Sequence, residues 1–600
     1  MNPITINNED TEMQVNQPCV AVFTPGENNQ VVSAQPPSIA QSHNETQPTT
    51  GTQPYAVTQP TAGTQPTTVS YPNGGTWSSG NAQLMQTKLY KKENAFKPDM
   101  CDFVVALITF ILGYLFLRWV IFDWQGWGVT VFTTAYLLTV TTYLTKKGVF
   151  TNCGATWFWL SVTFVTGLSY MLWVNEGFGG IRALFLFGAA VYYVIVASGR
   201  NVMGKTGNYL LIDGLNAVLL IPFHNYINQY VSFVVLKKDG KSSKILHVML
   251  GLMLSLILAS ILIPMLIRAD SGGFGMILKF FTDTFRFIDI ETVFYLVLAI
   301  PVAAYLYGLL SGVAHKKGTN IMKLESAKQT VAELRFLQPA TINTVLGVVC
   351  GIYLIFIFSQ IPYFFSAFTG RRPEGWLIYA EYARQGFFEL CAIAAINLVI
   401  LIVGNITSKK QRSDSPVLKL FNIALAVITL LLIATAFSKM ALYIDAYGLT
   451  MPRLLPCVLM AFLAFVFIAL IALQKLDFSI VRFALVAGSI ILCILCISNP
   501  DALVVRYNTT RYLNGTLPGY DTEILYRSGS AGVLPAVTVY ETTKDEALRS
   551  SIAQYFRDQI WYDYSAYRQS IESYQAQKRL EGLQEHGLTV NGNYTRERQD

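Results

Sequence analysis

The feature that most constrains this chain of 600 residues is a nearly unbroken succession of apolar runs between Cys101 and Ser498. A helix needs about 20 apolar residues to cross a hydrocarbon core of about 30 Å. Because lipid offers the backbone no hydrogen bonds, each run has to form a helix. Charged residues make up only 14% of the chain, whereas soluble proteins carry about 25%. The sequence excludes an ordinary water-soluble enzyme and predicts an all-α polytopic transmembrane helix bundle.

About eleven runs are long enough to span a bilayer. They are 103–122, 127–145, 155–174, 181–199, 245–267, 292–314, 339–361, 386–404, 417–437, 454–473 and 478–498. If the N-terminus is cytoplasmic, the inner segments carry more than twice as many Lys and Arg residues as the outer ones, as the positive-inside rule requires. An odd number of spans then places the C-terminus outside the cytoplasm. We therefore predict a multi-pass plasma-membrane protein.

Two further segments are apolar but too polar or too short to count as spans. Residues 208–236 are interrupted by Asp213, Pro222 and several Asn residues, which favours a re-entrant or interfacial helix on the cytoplasmic face. Residues 276–288 combine four Phe residues with charges, and we predict that they lie in the outer interface. If either segment crosses the membrane, the number of spans changes.

The two ends of the chain differ from the 101–498 bundle. Thr-Gln-Pro recurs every six residues from Thr46 to Thr64, and such Pro-rich polar sequence predicts a disordered cytoplasmic tail over 1–95. Residues 499–600 are polar and predict a short helical extracytoplasmic region. Its second helical stretch, 545–585, is rich in Tyr. It carries apolar groups at helical spacing, which gives it one face for packing on a neighbour or on the membrane surface. They are Ile552, Phe556, Ile560, Tyr567, Ile571 and Tyr574.

The first candidate functional site is a polar cluster around the eighth predicted span. Charge within a span is expensive and marks function more often than it does in water. The cluster comprises Glu381, Arg384, Glu389, Asn397 and, from the next span, Asn422. One interpretation is a polar site or proton relay near the outer face. The alternative is a set of hydrogen bonds that pack helices together, each contributing about 1 kcal/mol.

A second cluster follows the ninth predicted span at the outer interface. It consists of Tyr443, Asp445, Tyr447 and Arg453. Tyr suits an interface because its ring is apolar and its hydroxyl is hydrated. The residues therefore predict an interfacial anchor with ion pairs, although a functional role is also open.

Familiar catalytic patterns do not occur in the sequence. The five His residues are not paired at metal-ligand spacing, and there is no zinc-protease, nucleophile-elbow or phosphate-loop motif. We therefore predict no catalytic residue, no metal and no cofactor, and we lean against an enzyme. The sequence has no basic stripe interleaved with aromatic residues, so we expect the lipid bilayer rather than nucleic acid as its partner.

Three motifs resemble an uncharacterised family of bacterial polytopic membrane proteins. They are Ala380 to Leu390, Tyr443 to Arg453 with its Tyr-Gly-Leu-Thr core, and Asn499-Pro500-Asp501 followed by Tyr507-Asn508 and Arg511-Tyr512. The family is the domain of unknown function number forty-one seventy-three, related to number forty-one fifty-three. The resemblance covers roughly 200–535 and implies a bacterial plasma-membrane protein with many spans. It implies no reaction.

Three functions agree with these features. The first is a non-enzymatic sensor, scaffold or assembly partner with membrane or cell-envelope protein partners, because two long soluble ends flank the bundle. The second is a small-solute transporter or permease that uses the polar site around Glu389 and the interrupted segment 208–236. The third is a membrane-embedded transferase acting on lipid or cell-wall precursors, because Arg residues in the outer loops suit a phosphate-linked substrate.

Overall fold

The computed structural model describes residues 96–585 apart from 123–124, 203–205, 369–375, 411–414, 561–567, most of 317–331 and, except for scattered residues of one helix, 234–289. The predicted tail at 1–95 and the predicted segment 276–288 lie outside the described residues. The described part of the chain is helical, and its one β-like feature is a bridge between Leu337 and Ser408. The predicted all-α class is confirmed.

The first group of membrane helices includes a segment of short, interrupted helices. In chain order the elements are α1 (Met100–Leu115, extended by a π-helix at Phe116–Ile121), α2 (Trp127–Lys146), α3 (Gly154–Leu172), α4 (Gly179–Ala197), α5 (Leu210–Leu215), α6 (Ile221–His224), α7 (Asn228–Ser232) and α8 (Ile290–Ala314). A capping box between Asp99 and Asp102 starts α1. Helix α8 packs against α1, α6 and α7. The segment 208–236, predicted as a re-entrant or interfacial helix, forms short helices within its described residues. The segment packs against α8 and leaves Leu211, Phe223 and Ile227 exposed.

The second group is built around a long central helix. Its elements are α9 (Pro339–Phe368), α10 (Trp376–Thr407), α11 (Pro416–Tyr447), α12 (Met451–Ala472) and α13 (Ile480–Ile497). Helix α11 packs against α9, α10 and α12, and its buried face includes Leu425, Leu432 and Ala436. Helix α13 contacts both α12 and α3, so it joins the two groups.

Five shorter helices follow the last membrane helix and share a core of their own. They are α14 (Pro500–Leu513), α15 (Glu523–Ser528), α16 (Val533–Thr542), α17 (Glu546–Ile560) and α18 (Ile571–Glu585). We call them the C-terminal helices. Ile552, Tyr555 and Phe556 of α17 are fully buried against Leu525 and Val533. Ile552, Phe556 and Ile560 of the predicted apolar face therefore pack within the C-terminal helices. Ile571 and Tyr574 are exposed, and Tyr567 lies outside the described residues.

The described residues contain nine helices that are long and apolar enough to span a membrane, namely α1, α3, α4 and α8–α13. The predicted number of about eleven is not confirmed. One predicted span, 245–267, lies mostly outside the described residues. Another, 127–145, is the helix α2, which is rich in Thr and is not among the nine. The Thr133 and Thr141 hydroxyls donate to the carbonyls of Val129 and Leu137 one turn back, so these side chains satisfy themselves within the helix.

Candidate functional site

The charged members of the first predicted cluster lie along α10. The side chain of Glu381 lies outside the described residues, and Arg384 is exposed. Glu389 is also exposed, and it interacts electrostatically with Lys439 of α11. Lys439 reaches across Gly386, where an added Cβ would lie 2.8 Å from the lysine Nζ. These charges therefore lie where α10 and α11 meet.

The two Asn residues of that cluster form separate hydrogen-bonded pairs between helices. The Asn397 amide nitrogen donates to the Thr429 hydroxyl at 3.0 Å, and its oxygen accepts from the Tyr353 hydroxyl at 2.8 Å. Asn422 and Asn405 exchange two hydrogen bonds, at 3.0 and 3.2 Å. Asn422 thus bonds to Asn405 rather than to Asn397 or Glu389 in the described structure. This arrangement matches the packing alternative, because each bond links neighbouring helices of the second group.

The second predicted cluster is assembled at the turn between α11 and α12, with one exception. The Arg453 guanidinium lies 4.3 Å from the centroid of the Tyr443 ring and donates to the carbonyl oxygen of Tyr447 at 2.9 Å. Asp445 instead forms an ion pair of 3.0 Å with Arg511 of α14. The cluster is therefore an anchor point for the C-terminal helices, which the sequence alone did not reveal.

Asn508 of α14 binds the same turn through two side-chain hydrogen bonds to the backbone of one residue. Its amide oxygen accepts from the N–H of Leu449 at 2.8 Å, and its amide nitrogen donates to the Leu449 carbonyl at 2.6 Å. Gly448 has a φ of 78°, and a Cβ there would collide with Asn508 Oδ1. Glycine is therefore required at this position both by conformation and by space.

A buried guanidinium group binds backbone carbonyls of the turn between α3 and α4. Arg182 of α4 is only 1% exposed and donates to the carbonyl oxygens of Trp173 and Val174 at 3.1 and 2.6 Å. Its guanidinium also stacks 3.7 Å from the centroid of the Tyr170 ring. These carbonyls follow the C-terminal end of α3, where a cation is favoured by the helix dipole. Arg182 thus fixes the turn onto which the C-terminal helices dock.

Two carboxylates of the C-terminal helices contact this turn. Asp501 is fully buried, and its Oδ2 accepts from the N–H of Gly177 at 3.2 Å. Its Oδ1 has no hydrogen-bond partner among the described residues. Glu572 accepts from the N–H of Val174 and from the Asn499 amide. Burial raises the pKa of Asp501 to about 7, and burial also raises the pKa of Glu572.

An open cavity of about 620 Å³ lies beside these contacts. It is bounded by the ends of α3 and α13 and by helices α14, α16 and α18. Residues that line it include Trp173, Leu503, Arg506, Tyr507, Leu534 and Glu572. The volume falls within the range of small-molecule sites. The cavity therefore combines charged, aromatic and aliphatic groups at the junction of the membrane and C-terminal helices.

A separate network of buried polar groups occupies the opposite face of the first group. Asp102 of α1 is fully buried and accepts from the Tyr143 hydroxyl at 2.7 Å. It also forms an ion pair with Lys147 at 2.9 Å and a hydrogen bond of 3.1 Å with the His315 imidazole. A charge within α1, flanked by charges at the ends of α2 and α8, is the signal that could have identified this group from sequence.

Polar groups of the interrupted helix extend inward from that network. Gln229 of α7 donates to the carbonyl of Ala106 at 2.7 Å, and the Ser232 and Tyr307 hydroxyls are 2.6 Å apart. Asn228 donates to the Ser311 hydroxyl at 3.1 Å. Interrupted helices with bonded polar groups are typical of substrate and ion sites in transporters.

A protein-family model, described as a domain of unknown function (DUF4153), matches residues 132–538. This chain belongs to the DUF4153 family. The resemblance of the sequence motifs predicted number forty-one seventy-three, related to forty-one fifty-three. The family model identifies the second of these two numbers. No curated protein and no solved structure significantly matches the chain.

The DUF4153 match covers part of the junction between the membrane helices and the C-terminal helices, and leaves α17 and α18, including Glu572, outside. It includes the turn between α3 and α4 and helices α14 and α15, and it ends within α16. Within the described residues of this DUF4153 member, no group of three or more His, Cys, Asp or Glu side chains is arranged to hold a metal ion.

Proposed function

We propose that this DUF4153 protein is a non-enzymatic membrane sensor in which the C-terminal helices and the membrane helices respond together. The observation that supports it is that the C-terminal helices are bonded into three places on one face of the bundle. They contact the α3–α4 turn through Asp501, the α11–α12 turn through Asn508, and the start of α2 through the Trp127 N–H, which donates to the Gln569 carbonyl at 3.1 Å.

Such a connection couples the two parts mechanically. Rigid helices joined by hydrogen bonds carry coupling between distant sites when the connected elements move together. A displacement of α14 has to move the turns that hold Gly177 and Leu449, or else break buried hydrogen bonds. Each such break leaves an unpaired buried group, which costs about 1–3 kcal/mol. A ligand or a membrane or cell-envelope protein partner at the C-terminal helices would therefore bias the membrane helices.

The distribution of Lys and Arg supports an orientation for this sensor. We place the N-terminus in the cytoplasm and the C-terminal helices outside it. With the resemblance to bacterial membrane proteins, this makes the plasma membrane of a bacterium the proposed location.

Truncating the core of the C-terminal helices tests the coupling. We expect Phe556→Ala to raise hydrogen exchange in the turns 173–178 and 448–450, because loss of a buried aromatic side chain costs about 3–5 kcal/mol and loosens α14. Exchange would be measured by mass spectrometry on the full-length protein in detergent or nanodiscs. Leu513→Ala is the control, since Leu513 lies on the same helices but is exposed.

Hydrogen exchange in the two turns distinguishes coupled C-terminal helices from independent ones. Faster exchange in both turns with Phe556→Ala and unchanged exchange with Leu513→Ala support it. If Phe556→Ala loosens the C-terminal helices while the two turns keep their protection, the helices are an independent appendage and the sensor proposal is wrong.

Small-solute transport is a second candidate, and the network around Asp102 and α7 favours it. In proteoliposomes with an imposed pH gradient, a transporter that uses this network would lose flux with Asp102→Asn, because an ionisable group is removed from the polar path. A transporter centred on Glu389 would instead lose flux with Glu389→Gln. Uptake of a panel of labelled solutes measures both variants. A panel in which the unmodified protein carries no solute counts against transport.

A further inference from the structure

The cavity at the junction contains a cation that the protein leaves available. Arg506 of α14 is exposed and lines the cavity, and its guanidinium has no hydrogen-bond acceptor among the described residues. Arg511, one turn further along the same helix, differs sharply. It donates to the carbonyls of Asp445 and Thr516 and pairs with the Asp445 carboxylate. Arg511 therefore holds the structure together, whereas the N–H groups of the Arg506 guanidinium have hydrogen-bonding capacity left for an anion.

The opposite charge lies across the same cavity. Glu572 is 9% exposed and lines the wall. Its carboxylate is held in place by the Asn499 amide and the Val174 N–H, and it interacts electrostatically with Arg506. A carboxylate can accept about four hydrogen bonds, so capacity remains for a donor in the cavity. The site thus presents a positive and a negative group to one occupant.

The other side chains that line the cavity are of the types found at a membrane interface. Trp173 follows the end of α3 and its indole N–H donates to the Ile497 carbonyl at the end of α13. Tyr507, Leu503 and Leu534 also line the cavity and are each partly exposed. Trp and Tyr are enriched where hydrocarbon meets lipid headgroups. An occupant with a charged end and an apolar end is therefore suited to this position.

We propose that this cavity binds a phosphodiester that carries a neighbouring ammonium group, as in an ethanolamine phospholipid headgroup. The phosphate accepts hydrogen bonds from Arg506, and the ammonium donates to Glu572. Arg recognises phosphate through paired, charge-assisted hydrogen bonds. A lipid is favoured over a soluble phosphate ester because the cavity lies at the ends of two membrane helices and has aliphatic walls. The site goes beyond the sensor proposal and does not depend on it, since a lipid can bind whether or not the helices transmit its presence.

Native mass spectrometry of the full-length protein tests the site. The protein would be titrated with dioleoyl phosphatidylethanolamine, with the matched phosphatidylglycerol, which has no ammonium, and with free phosphoethanolamine. We expect the ethanolamine lipid to bind at least tenfold more tightly than either of the others, because hydrogen bonds to charged groups each contribute about 1.5–3 kcal/mol. Arg506→Gln should weaken its binding by about tenfold or more.

Two further variants make the result specific. Glu572→Gln should remove the preference for the ethanolamine lipid over phosphatidylglycerol while leaving phosphatidylglycerol binding intact. Arg527→Gln is the matched control, because Arg527 is an exposed Arg of the same helices that pairs with Glu523 and does not line the cavity. Equal losses in Arg506→Gln and Arg527→Gln would overturn the site. Free phosphoethanolamine that binds as tightly as the lipid would overturn the choice of a membrane lipid.

Discussion

Replacing Asp501 by Asn is expected to stabilise the C-terminal helices at pH 8 and to leave their stability almost unchanged near pH 4. The cause is the burial of the Asp501 carboxyl, which raises its pKa from 3.8 to about 7. The folded protein therefore retains a proton on this group at pH values where the unfolded chain has lost it. Asn is neutral at every pH and can still accept from the Gly177 N–H.

The sign of the effect follows from proton linkage. Stability falls with rising pH wherever the folded state binds more protons than the unfolded state. The stabilising contribution is complete below about pH 4 and is lost as the pH rises through about 7. A shift of about three pKa units corresponds to about 4 kcal/mol, which is the upper limit of the expected change. Glu572, whose pKa is also raised, adds a smaller slope of the same sign that persists in the variant.

Charged groups from three elements face Asp501, and all enter this expectation. Glu176 of the α3–α4 turn and Glu572 of α18 repel its charged form, whereas Arg182 of α4 attracts it. Burial, which has the largest effect, and the two carboxylates outweigh the hydrogen bond from the Gly177 N–H and the charge of Arg182, so the pKa of Asp501 is raised. Substituting one carboxyl should therefore relieve repulsion at the other.

Thermal unfolding of the full-length protein in detergent, followed by differential scanning fluorimetry from pH 4 to 8, measures this effect. The unmodified protein should lose stability across that range, and Asp501→Asn should show a much flatter profile. Asp558→Asn is the control, because Asp558 is an exposed carboxylate of the same helices. A profile for Asp501→Asn as steep as that of the unmodified protein would show that this carboxyl is already charged when buried.

The sequence predicts the membrane helices well because their signal is local. The length and hydrophobicity of each apolar run are sufficient to predict a membrane helix, and most of the predicted spans coincide with helices from α1 to α13. The number of spans is harder to predict from the sequence. In α2 the Thr hydroxyls donate hydrogen bonds to carbonyls of the same helix. Hydropathy counts these groups as polar, although α2 packs against α1 and α3.

The candidate site was harder to predict because its parts are distant in the chain. Asp501 and Gly177 are joined by a hydrogen bond across 324 positions, and no local pattern pairs them. Asp501 follows Asn499-Pro500 and looks like the first turn of a polar helix, where an acidic residue is ordinary. Glu389 was predicted as a functional residue because it lies in an apolar run, but its side chain is exposed in the structure. The Asp445 prediction identified an ion pair but not Arg511 as its partner.

The contact between Gly448 and Asn508 should respond to substitution in a non-additive way. Gly448→Ala places a methyl group against Asn508 Oδ1 and forces a residue with a side chain to adopt a φ of 78°. Asn508→Ala removes both hydrogen bonds to Leu449 and leaves its buried N–H and C=O unpaired, at about 1–3 kcal/mol each. We expect each single variant to destabilise the docking of α14 by about 2–4 kcal/mol.

The double variant separates the collision from the backbone strain. Asn508→Ala removes the atom with which the new methyl group collides, so Gly448→Ala should cost less in that background. The remaining cost is about 1–3 kcal/mol for the backbone conformation alone, because a φ of 78° with a ψ of −180° is a combination that only glycine adopts readily. Urea unfolding of all four proteins gives the coupling energy of this cycle. A coupling energy near zero would mean that Asn508 does not contact Gly448, and that the α11–α12 turn keeps its shape without α14. A coupling energy of 1 kcal/mol or more would mean that α14 and the turn form one structural unit, as a sensor requires.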